Sequence, residues 1–334
     1  MAERIRWAIA GTGTIASAFA DDLARLPDAQ LVAVGSRSKA SADAFAQRFG
    51  IPNRHQGYAE LAADPEVDAV YVAVPHTGHC ETALAAIAAG KAVLVEKPFT
   101  VNEAQARRLV EAAAAAGTFL MEAMWVRFLP HFVKVRELVA EGRIGALRSV
   151  AADRGAILSS DPAHRILAPA LAGGALLDLG VYPVSFASMV LGEPDRVEAL
   201  MRPAVTGVDA QASLLLGHAG GAHALITTVL DTETSNAASI TGTDGRIDVP
   251  RVWDRTSPVR LTLFGRDGLS HTVETFEFTH EGNGLRHQAA EVGRCLRAGL
   301  TQSPVIPLDE TLAVMRTLDA ARERMGLQYP GEKE

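Results

Sequence analysis

The stretch Ile5-Arg6-Trp7-Ala8-Ile9-Ala10-Gly11-Thr12-Gly13-Thr14-Ile15-Ala16 decides the fold. An apolar run leads directly into two glycines that are separated by one residue, and a helical pattern follows. Gly11 permits a tight turn, Gly13 permits close approach of the backbone to a pyrophosphate, and Ala16 permits close packing of helix on strand. The amide groups and positive dipole end of that helix would point at the phosphates. The pattern predicts a dinucleotide loop with contacts from Gly11, Gly13, Thr14 and Ile15, and the alternative is a turn that binds no ligand.

Short apolar runs alternate with helical patterns over the first 122 residues. This alternation is typical of a parallel sheet with helices on both faces, and right-handed crossovers make such a sheet doubly wound. We therefore predict an α/β protein whose residues 1–125 form a Rossmann domain. The predicted strands are Arg4–Ala10, Gln30–Ser36, Ala69–Val74, Lys91–Val95 and Thr118–Glu122, and the predicted helices are Thr14–Arg25, Ser41–Phe49, Glu81–Ala89 and Asn102–Ala116.

The pattern changes after about Arg127. Residues 196–278 carry short alternating runs separated by turn signals, which indicates a large and mostly antiparallel open sheet. We predict an α+β domain over residues 126–334, and the last helix, residues 308–326, is considered for packing back on the first domain. The other predicted elements are a strand at Leu147–Gly155 and helices at Phe132–Glu141, Gly174–Leu191, Leu285–Ala298 and Leu308–Met325.

The composition argues against several classes of partner. The chain has 334 residues, 48% of them hydrophobic, and a net charge of −7. Its length favours two domains, and the absence of a long basic run argues against nucleic acid or an anionic membrane as partner. We expect no apolar stretch of membrane-spanning length. Because the chain starts directly with a strand pattern, we expect a cytoplasmic protein without a leader, and we expect Cys80 and Cys295 to be buried thiols.

The end of the second predicted strand bears on the choice of nicotinamide cofactor. The segment Gly35-Ser36-Arg37-Ser38-Lys39 has no acidic residue before Asp43. A site that prefers NAD usually has an acidic residue here for the ribose hydroxyls. A planar arginine fork instead suits a 2′-phosphate and can stack on adenine. We predict that Ser36 and Arg37 bind NADP, with NAD less favoured, and the alternative is a solvated basic turn.

Two more strand ends would face the same ligand, because open α/β sheets hold ligands at the carboxyl ends of their strands. Pro75, His76 and His79 follow the third predicted strand, and Glu96-Lys97-Pro98 closes the fourth. We predict that Pro75, His76, His79, Glu96 and Lys97 contact the cofactor and that Lys97 takes part in chemistry. The cluster His76, His79 and Cys80 has no matching second cluster, and zinc takes three or four ligands, so we predict no metal site.

Asp178 and Tyr182 lie four residues apart in an apolar helical pattern, so they share one helix face. An aspartate in such surroundings is costly to bury unless it is hydrogen-bonded or takes part in chemistry. A free tyrosine titrates at about pH 10, and a nearby cation such as Lys97 would bring the pKa towards working pH. Tyr182 could then take a hydroxyl proton while Asp178 fixes the substrate hydroxyl. The alternative is that Asp178 caps a backbone group and Tyr182 is a core residue.

The motifs resemble the Gfo/Idh/MocA family, which is named after glucose-fructose oxidoreductase, inositol dehydrogenase and rhizopine catabolism proteins. The resemblance covers nearly the whole chain through the glycine loop, Glu96-Lys97-Pro98 and Asp178-x-x-x-Tyr182. The segments Met121–Phe128, Gly174–Pro183 and Gly282–Leu285 are most similar to the branch with dimeric dihydrodiol dehydrogenases and NADP-dependent D-xylose dehydrogenases. Inositol-type members have histidine at the position of Tyr182, which favours the sugar or dihydrodiol branch.

The resemblance implies roles for individual residues. Lys97 and Tyr182 would be the catalytic pair, Asp178 would contact the substrate hydroxyl, and a cis peptide would precede Pro98. His79 would lie near the cofactor, and Trp125 and Arg127 would line the nicotinamide and substrate pocket. The open sheet of the second domain would form the interface of a homodimer or a dimer of dimers.

These observations predict reversible hydride transfer between NADP and a secondary alcohol or cyclic hemiacetal of a sugar, polyol or trans-dihydrodiol. Two alternatives remain open: an NAD-dependent glycosidase of the same family, and a non-catalytic NADP-binding sensor. A sensor needs none of Lys97, Asp178 and Tyr182, so their joint presence argues against it. Arg154, His164 and Arg165 are further candidates for the substrate pocket, with surface positions equally expected.

Overall fold

The computed structural model describes residues 4–279, 281–330 and 332. The chain divides into two compact units. One comprises Met1–Trp125 and Glu281–Leu312, and the other comprises Val126–His280 and Ala313–Glu334. The C-terminal segment Glu281–Leu312 therefore belongs to the first unit. It contains the whole helix Arg286–Arg297 but only the start of the last helix, Leu308–Met325. The sequence analysis had considered residues 308–326 for this position.

The first unit is built on a six-stranded parallel sheet in the order β3-β2-β1-β4-β5-β6. The sequence order of the strands reverses between β1 and β4, which is the arrangement of a doubly wound sheet. The prediction of a Rossmann sheet is confirmed. The strands are β1 Ile5–Ala10, β2 Ala29–Ser36, β3 Asn53–Gln56, β4 Ala69–Val72, β5 Ala92–Glu96 and β6 Leu120–Ala123.

The helices of the first unit follow its strands and are joined by a helix from near the C-terminus. Their bounds are α1 Thr14–Leu23, α2 Lys39–Phe49, α3 Tyr58–Ala62, α4 His79–Ala88, α5 Glu103–Ala116 and α8 Arg286–Arg297. Asp22 of α1 is fully buried and fixes the start of α8, since its carboxylate accepts the amide N–H groups of Asn283 at 2.8 Å and Leu285 at 2.7 Å.

Strand β3 and helix α3 were not predicted from the sequence. Strand β3 is a four-residue edge strand of polar residues in which half-buried and exposed side chains alternate. It contains no apolar run, so hydrophobic periodicity does not reveal it. Together β3 and α3 place Tyr58 next to the end of β2, because the amide N–H of Gly57 donates to the carbonyl of Ser36 at 2.9 Å.

The second unit contains an eight-stranded sheet in the order β14-β13-β12-β11-β7-β10-β9-β8. Among its described strand pairs, β7 and β10 run parallel and the others run antiparallel, so the predicted mostly antiparallel sheet is confirmed. The strands are β7 Leu147–Gly155, β8 Arg196–Pro203, β9 Asp209–Gly217, β10 His223–Val229, β11 Ala238–Gly242, β12 Gly245–Val249, β13 Val259–Phe264 and β14 His271–Phe276.

The two faces of this sheet differ in burial. One face is buried. Its side chains include those of Leu214, Ile226 and Ala152, which are at most 4% exposed. On the other face Leu215 pairs across β9 and β10 with Leu225, and these side chains are 48% and 53% exposed. Leu200 of β8 extends this exposed apolar face at 78% exposure. The face is therefore available to pack against another surface.

The helices of the second unit are α6 Pro130–Ala140, α7 Val181–Leu191 and most of α9 Leu308–Met325. The predicted helix Gly174–Leu191 contains a π-helical turn at Leu176–Gly180 before α7, which regular α periodicity does not signal. Our expectation about membrane-spanning length was wrong, because Pro169–Leu191 is long and apolar enough to span a membrane by length and composition alone. However, 83% of its most apolar window is buried inside the protein, as in the core helix of a globular domain.

Both cysteines are free and buried, as predicted. Burial raises the pKa of the Cys80 thiol and raises that of Cys295 to about 11, with the carboxylate of Glu291 adding to the effect at Cys295. Both thiols are therefore held in the unreactive protonated form.

Candidate active site

Gly11 lies at the point where the strand order of the first unit reverses. Its amide N–H donates to the carbonyl of Gly35 in β2 at 2.9 Å, and its φ angle is +118°. A Cβ atom at this position would lie 2.4 Å from the carbonyl oxygen of Ala73, just after β4. Only glycine allows this approach, so the carboxyl ends of β1, β2 and β4 meet at one edge of the sheet.

The start of α1 fits a dinucleotide pyrophosphate. Gly13 occupies the N-cap position, and no side chain caps the first turn. Gly13, Thr14 and Ile15 are exposed, and a Cβ atom at Gly13 would meet no atom within 4 Å. The first turn of α1 is therefore exposed and has no side-chain cap, and the helix dipole favours an anion there.

The end of β2 combines a buried hydroxyl with an exposed cation. Ser36 is 7% exposed, and Arg37 is exposed and hydrogen-bonded to Tyr58. Burial raises the pKa of Tyr58, and the charge of Arg37 and its hydrogen bond to the tyrosine partly oppose this shift. Lys39 is paired with Asp43 at 2.9 Å. Sequence analysis missed Tyr58, because the strand that brings it beside Arg37 has no apolar pattern.

Two buried carboxylates hold the chain around Lys97. The carboxylate of Glu96, at the end of β5, accepts the hydroxyl of Tyr71 at 2.5 Å through Oε1 and the amide N–H of Lys97 at 3.1 Å through Oε2. The peptide between Lys97 and Pro98 is cis, as the resemblance implied. On β6, Glu122 accepts the amide N–H of Phe99 at 3.2 Å. Lys97 itself is half-buried, so these contacts set the backbone position of a partly accessible lysine.

His79 connects the ends of two strands. Its Nδ1 lies 2.9 Å from the carbonyl oxygen of Pro98, and its Nε2 lies 2.9 Å from the carbonyl oxygen of Val74. Burial, together with the charge of His76, lowers the pKa of His79 to about 3, so the ring is neutral and one of its two nitrogens donates. Within the described residues, no group of three or more His, Cys, Asp or Glu side chains is arranged to hold a metal ion.

In the second unit, Asp178 lies in the π-helical turn and Tyr182 in the first turn of α7. Both are nearly buried, at 5% and 7% exposure. The carboxylate of Asp178 accepts a hydrogen bond from Nη1 of Arg165 at 3.2 Å. Asp178 therefore forms an ion pair, so capping of a backbone group is not its whole role. π-Helical turns often occur at functional sites. This turn brings an ion pair and a phenol to one helical segment.

Two other arginines considered for the site are anchored within the second unit. The guanidinium of Arg127, 1% exposed, donates to Oγ of Ser185 at 3.0 Å and to its carbonyl at 2.7 Å, one turn after Tyr182. Arg154 forms a buried ion pair with Asp254 at 2.7 Å. Trp125 precedes Arg127 in a short 3₁₀ turn and is half-buried. The cofactor contacts expected of Trp125 and Arg127 stay predictions.

Asp209, which the sequence analysis did not single out, fixes the start of the helical segment that carries Asp178. It is 0% exposed, and its Oδ2 accepts the amide N–H of Leu176 at 2.6 Å. Gly174 has a φ of +122°, and a Cβ atom there would lie 2.0 Å from Oδ1 of Asp209. The hydroxyl of Tyr329 donates to the carbonyl of Gly173 at 2.7 Å. Loss of solvation on burial raises the pKa of Asp209 to about 7.

Fold and site together define a class of protein, the oxidoreductases with an NAD-binding Rossmann fold. Residues 5–124 match the family model described as "Oxidoreductase family, NAD-binding Rossmann fold", and residues 132–248 match the "GFO/IDH/MocA C-terminal domain". The chain belongs to the Gfo/Idh/MocA oxidoreductase family.

Several relatives match over nearly their full lengths. The mouse protein named trans-1,2-dihydrobenzene-1,2-diol dehydrogenase is 40% identical over 336 residues, which cover 98% of this chain and 99% of that protein. The human protein of the same name is 38% identical over 337 residues, with the same coverage.

Two solved structures of oxidoreductases are similar to this chain over nearly its full length. A 3-ketoreductase from Actinomadura kijaniata in complex with NADP and TDP-benzene has a TM-score of 0.85 and 29% identity, and the match covers 97% of this chain and 98% of that one. An aldose-aldose oxidoreductase from Caulobacter crescentus complexed with glycerol has a TM-score of 0.86 and 25% identity, and the match covers 96% of this chain and 98% of that one.

The raised pKa of Asp209 predicts a pH dependence of stability. The ordinary pKa is 3.8 and the folded value is about 7, so between these pH values the folded protein holds a proton that the unfolded chain has lost. The free energy of unfolding should therefore fall as pH rises through this window, by about 1.4 kcal/mol per pH unit. Above pH 7 this contribution should be constant.

The Asp209→Asn variant keeps an acceptor for Leu176 and has no titrating proton. Urea unfolding of both proteins at a series of pH values between 4 and 8 isolates the effect, because other titrating groups cancel in the difference. We expect the stability of the wild type relative to the variant to fall up to about pH 7 and then level off. Parallel curves across the whole range would contradict the assignment.

Proposed function

We propose that the protein is an NADP-dependent oxidoreductase that transfers a hydride between NADP and the CH–OH group of a sugar, a polyol or a trans-dihydrodiol. The observation that carries this proposal is the position of the glycine loop after β1 and of Lys97 after β5, both at the carboxyl edge of one parallel sheet. The similarity to proteins named dihydrodiol dehydrogenase and to an NADP-bound 3-ketoreductase supports this cofactor and these substrates.

The first unit would supply the cofactor contacts. The uncapped amide groups at the start of α1, with Gly11, Gly13, Thr14 and Ile15, bind the pyrophosphate. Ser36 and Arg37 bind the 2′-phosphate of the adenosine ribose. The strand ends that carry Pro75, His76, His79, Glu96 and Lys97 lie along the remaining edge, and Trp125 and Arg127 are proposed contacts near the nicotinamide. When bound, NADP supplies the ring that exchanges a hydride with the substrate carbon.

Proton transfer is assigned to the protein side chains. Tyr182 takes the proton of the substrate hydroxyl during oxidation and returns it during reduction. Lys97 supplies a positive charge that favours the phenolate form of Tyr182. Asp178 contacts the substrate hydroxyl and orients it towards Tyr182, which takes the single proton of that hydroxyl. Structures of the Actinomadura 3-ketoreductase include variants in which a lysine is replaced by alanine and a tyrosine by phenylalanine, the residue types assigned to these roles here.

The function is tested by following the absorbance of reduced nicotinamide with NADP or NAD and a panel of aldoses, inositols, anhydrosugars and trans-dihydrodiols. We expect reduction of NADP with one of these classes. The Tyr182→Phe variant keeps the ring and loses the transferable proton, so we expect its turnover to fall at least roughly 100-fold. Its affinity for NADP, measured by fluorescence titration, should stay within about twofold.

Two results of this experiment would contradict the proposal. If the wild type binds NADP and reduces it with no member of the panel, and also fails to oxidise NADPH with the corresponding ketones and lactones, hydride transfer to this substrate class is wrong. If Tyr182→Phe turns over as fast as the wild type, the assignment of Tyr182 as proton carrier is wrong even though the reaction stands.

The cofactor preference is tested at Arg37. Its guanidinium can form charge-assisted hydrogen bonds to a 2′-phosphate, which NAD lacks. We expect Arg37→Ala to weaken NADP binding at least roughly tenfold and to leave NAD binding within about threefold, as measured by calorimetric titration. Arg48→Ala is the matched control, because Arg48 lies on α2 over the ring of Phe49 and carries the same charge. An equal loss of affinity for NADP and NAD would contradict the phosphate contact.

We further propose that the protein works as a soluble cytoplasmic homodimer, or as a dimer of such dimers, with the exposed face of the eight-stranded sheet at the interface. The apolar side chains of Leu200, Leu215 and Leu225 on this face support the proposal. Burying them against a second copy would remove their apolar surface from water.

The assembly is tested by analytical ultracentrifugation of a charged substitution on this face. Leu225→Arg should convert a wild-type dimer to monomer, because an arginine there would be buried without a partner. Val205→Arg is the matched control, since Val205 is 88% exposed and lies in the turn between β8 and β9. A monomeric wild type, or a Leu225→Arg variant that stays dimeric, would contradict the proposed interface.

A further inference from the structure

Arg165 lies on a turn that is fixed to the helical segment of Asp178 and Tyr182. The turn Arg165–Leu167 is anchored by Ile166, which is fully buried. The carbonyl of Ile166 accepts the amide N–H of Gly174 at 2.8 Å. A Cβ atom at Gly173 would lie 2.5 Å from the same carbonyl, so the turn and the start of the helical segment are in close contact. The backbone of Arg165 is thus positioned by the segment that carries the site.

The side chain of Arg165 is only partly used by its ion pair. Its Nη1 contacts Oδ1 of Asp178 at 3.2 Å. The side chain of Arg165 is 52% exposed, whereas that of Asp178 is 7% exposed. A guanidinium carries five N–H donors in a planar fork. About half of the Arg165 side chain is therefore open to solvent beside the carboxylate that we assign to the reacting hydroxyl.

The pair presents complementary hydrogen-bonding groups without net charge. The carboxylate of Asp178 accepts from a hydroxyl, and the guanidinium of Arg165 donates to an oxygen lone pair. Since the two charges cancel, the pair does not favour a carboxylate or phosphate substrate over a neutral one. It suits a neutral molecule with oxygens on two neighbouring carbons, one next to each partner. A donor aimed at an oxygen also discriminates against analogues that lack this oxygen.

We propose that Arg165 is a specificity-determining residue that donates a hydrogen bond to the oxygen vicinal to the reacting hydroxyl. The preferred substrates are then neutral 1,2-diols and cyclic sugars with a vicinal hydroxyl, and isolated secondary alcohols are poor substrates. This inference rests on the proposed function, because it takes Asp178 as the group that contacts the reacting hydroxyl.

The test compares two substrates that differ by one oxygen, trans-cyclohexane-1,2-diol and cyclohexanol, each assayed with NADP. In the wild type, kcat/KM should be at least roughly tenfold higher for the diol. Arg165→Met keeps the length of the side chain and removes its N–H donors. We expect kcat/KM of this variant to fall for both substrates, because Asp178 loses its ion pair, and to fall about tenfold further for the diol than for cyclohexanol.

The 2-methyl ether of the diol refines the test, because its ether oxygen still accepts from Arg165. In the wild type, kcat/KM for the ether should exceed that for cyclohexanol as much as kcat/KM for the diol does. In Arg165→Met this advantage over cyclohexanol should be lost. Arg316→Met is the matched control, since Arg316 forms an ion pair with Glu193 at 2.7 Å and is 40% exposed on α9. In this control variant, kcat/KM should be unchanged for both substrates.

Two kinetic outcomes and one binding outcome would overturn the inference. If Arg165→Met lowers kcat/KM equally for diol and cyclohexanol, Arg165 only positions Asp178. If it lowers neither, Arg165 has no part in recognition. Calorimetric binding of trans-cyclohexane-1,2-diol to the NADPH complex separates this inference from the proposed function. If Arg165→Met binds the diol more weakly than the wild type does, but the wild type does not turn the diol over, the proposed reaction is wrong and recognition of the diol by Arg165 is supported. If both proteins bind the diol equally well, recognition of the diol by Arg165 is wrong.

Discussion

The contact between Gly11 and Ala73 is the constraint on which the cofactor-binding unit depends. A Cβ atom at Gly11 would lie 2.4 Å from the carbonyl oxygen of Ala73, so the residue that directly follows β1 must have no Cβ atom. The close approach lets β1 lie between β2 and β4 while the chain turns directly into α1. As a result, the uncapped first turn of α1, the Ser36–Arg37 corner and Lys97 all lie at the carboxyl edge of one sheet.

Buried carboxylates hold the functional segments in both units. Glu96 and Glu122 accept the amide N–H groups of Lys97 and Phe99, on either side of the cis peptide. Asp209 accepts the amide N–H of Leu176, at the start of the segment with Asp178 and Tyr182. A carboxylate is costly to bury, and hydrogen bonds from backbone donors offset part of this cost, although at Asp209 the loss of solvation still raises the pKa. Backbone positions around the candidate site are therefore set by side chains that need not touch a substrate.

Much of the fold could be predicted because its strands are apolar and its turns carry glycine. The run Ile5–Ala10 with Gly11 and Gly13 predicts the Rossmann sheet, and the alternating runs after residue 196 predict the antiparallel sheet. The polar edge strand β3 and the π-helical turn at Leu176–Gly180 have no such signal. For the same reason, Tyr58, Glu122 and Asp209 were missed: their roles depend on contacts between residues far apart in sequence, which periodicity does not record.

The most direct test of the account follows the hydride itself. The substrate that turns over fastest is labelled with deuterium on its carbinol carbon, oxidised with NADP, and the reduced cofactor is analysed by mass spectrometry. The account predicts that the deuterium is recovered in the reduced cofactor, because the hydrogen passes directly from the carbinol carbon to the nicotinamide. Deuterium released to water, or retained in the product while the cofactor stays unlabelled, would contradict hydride transfer as the reaction of this protein.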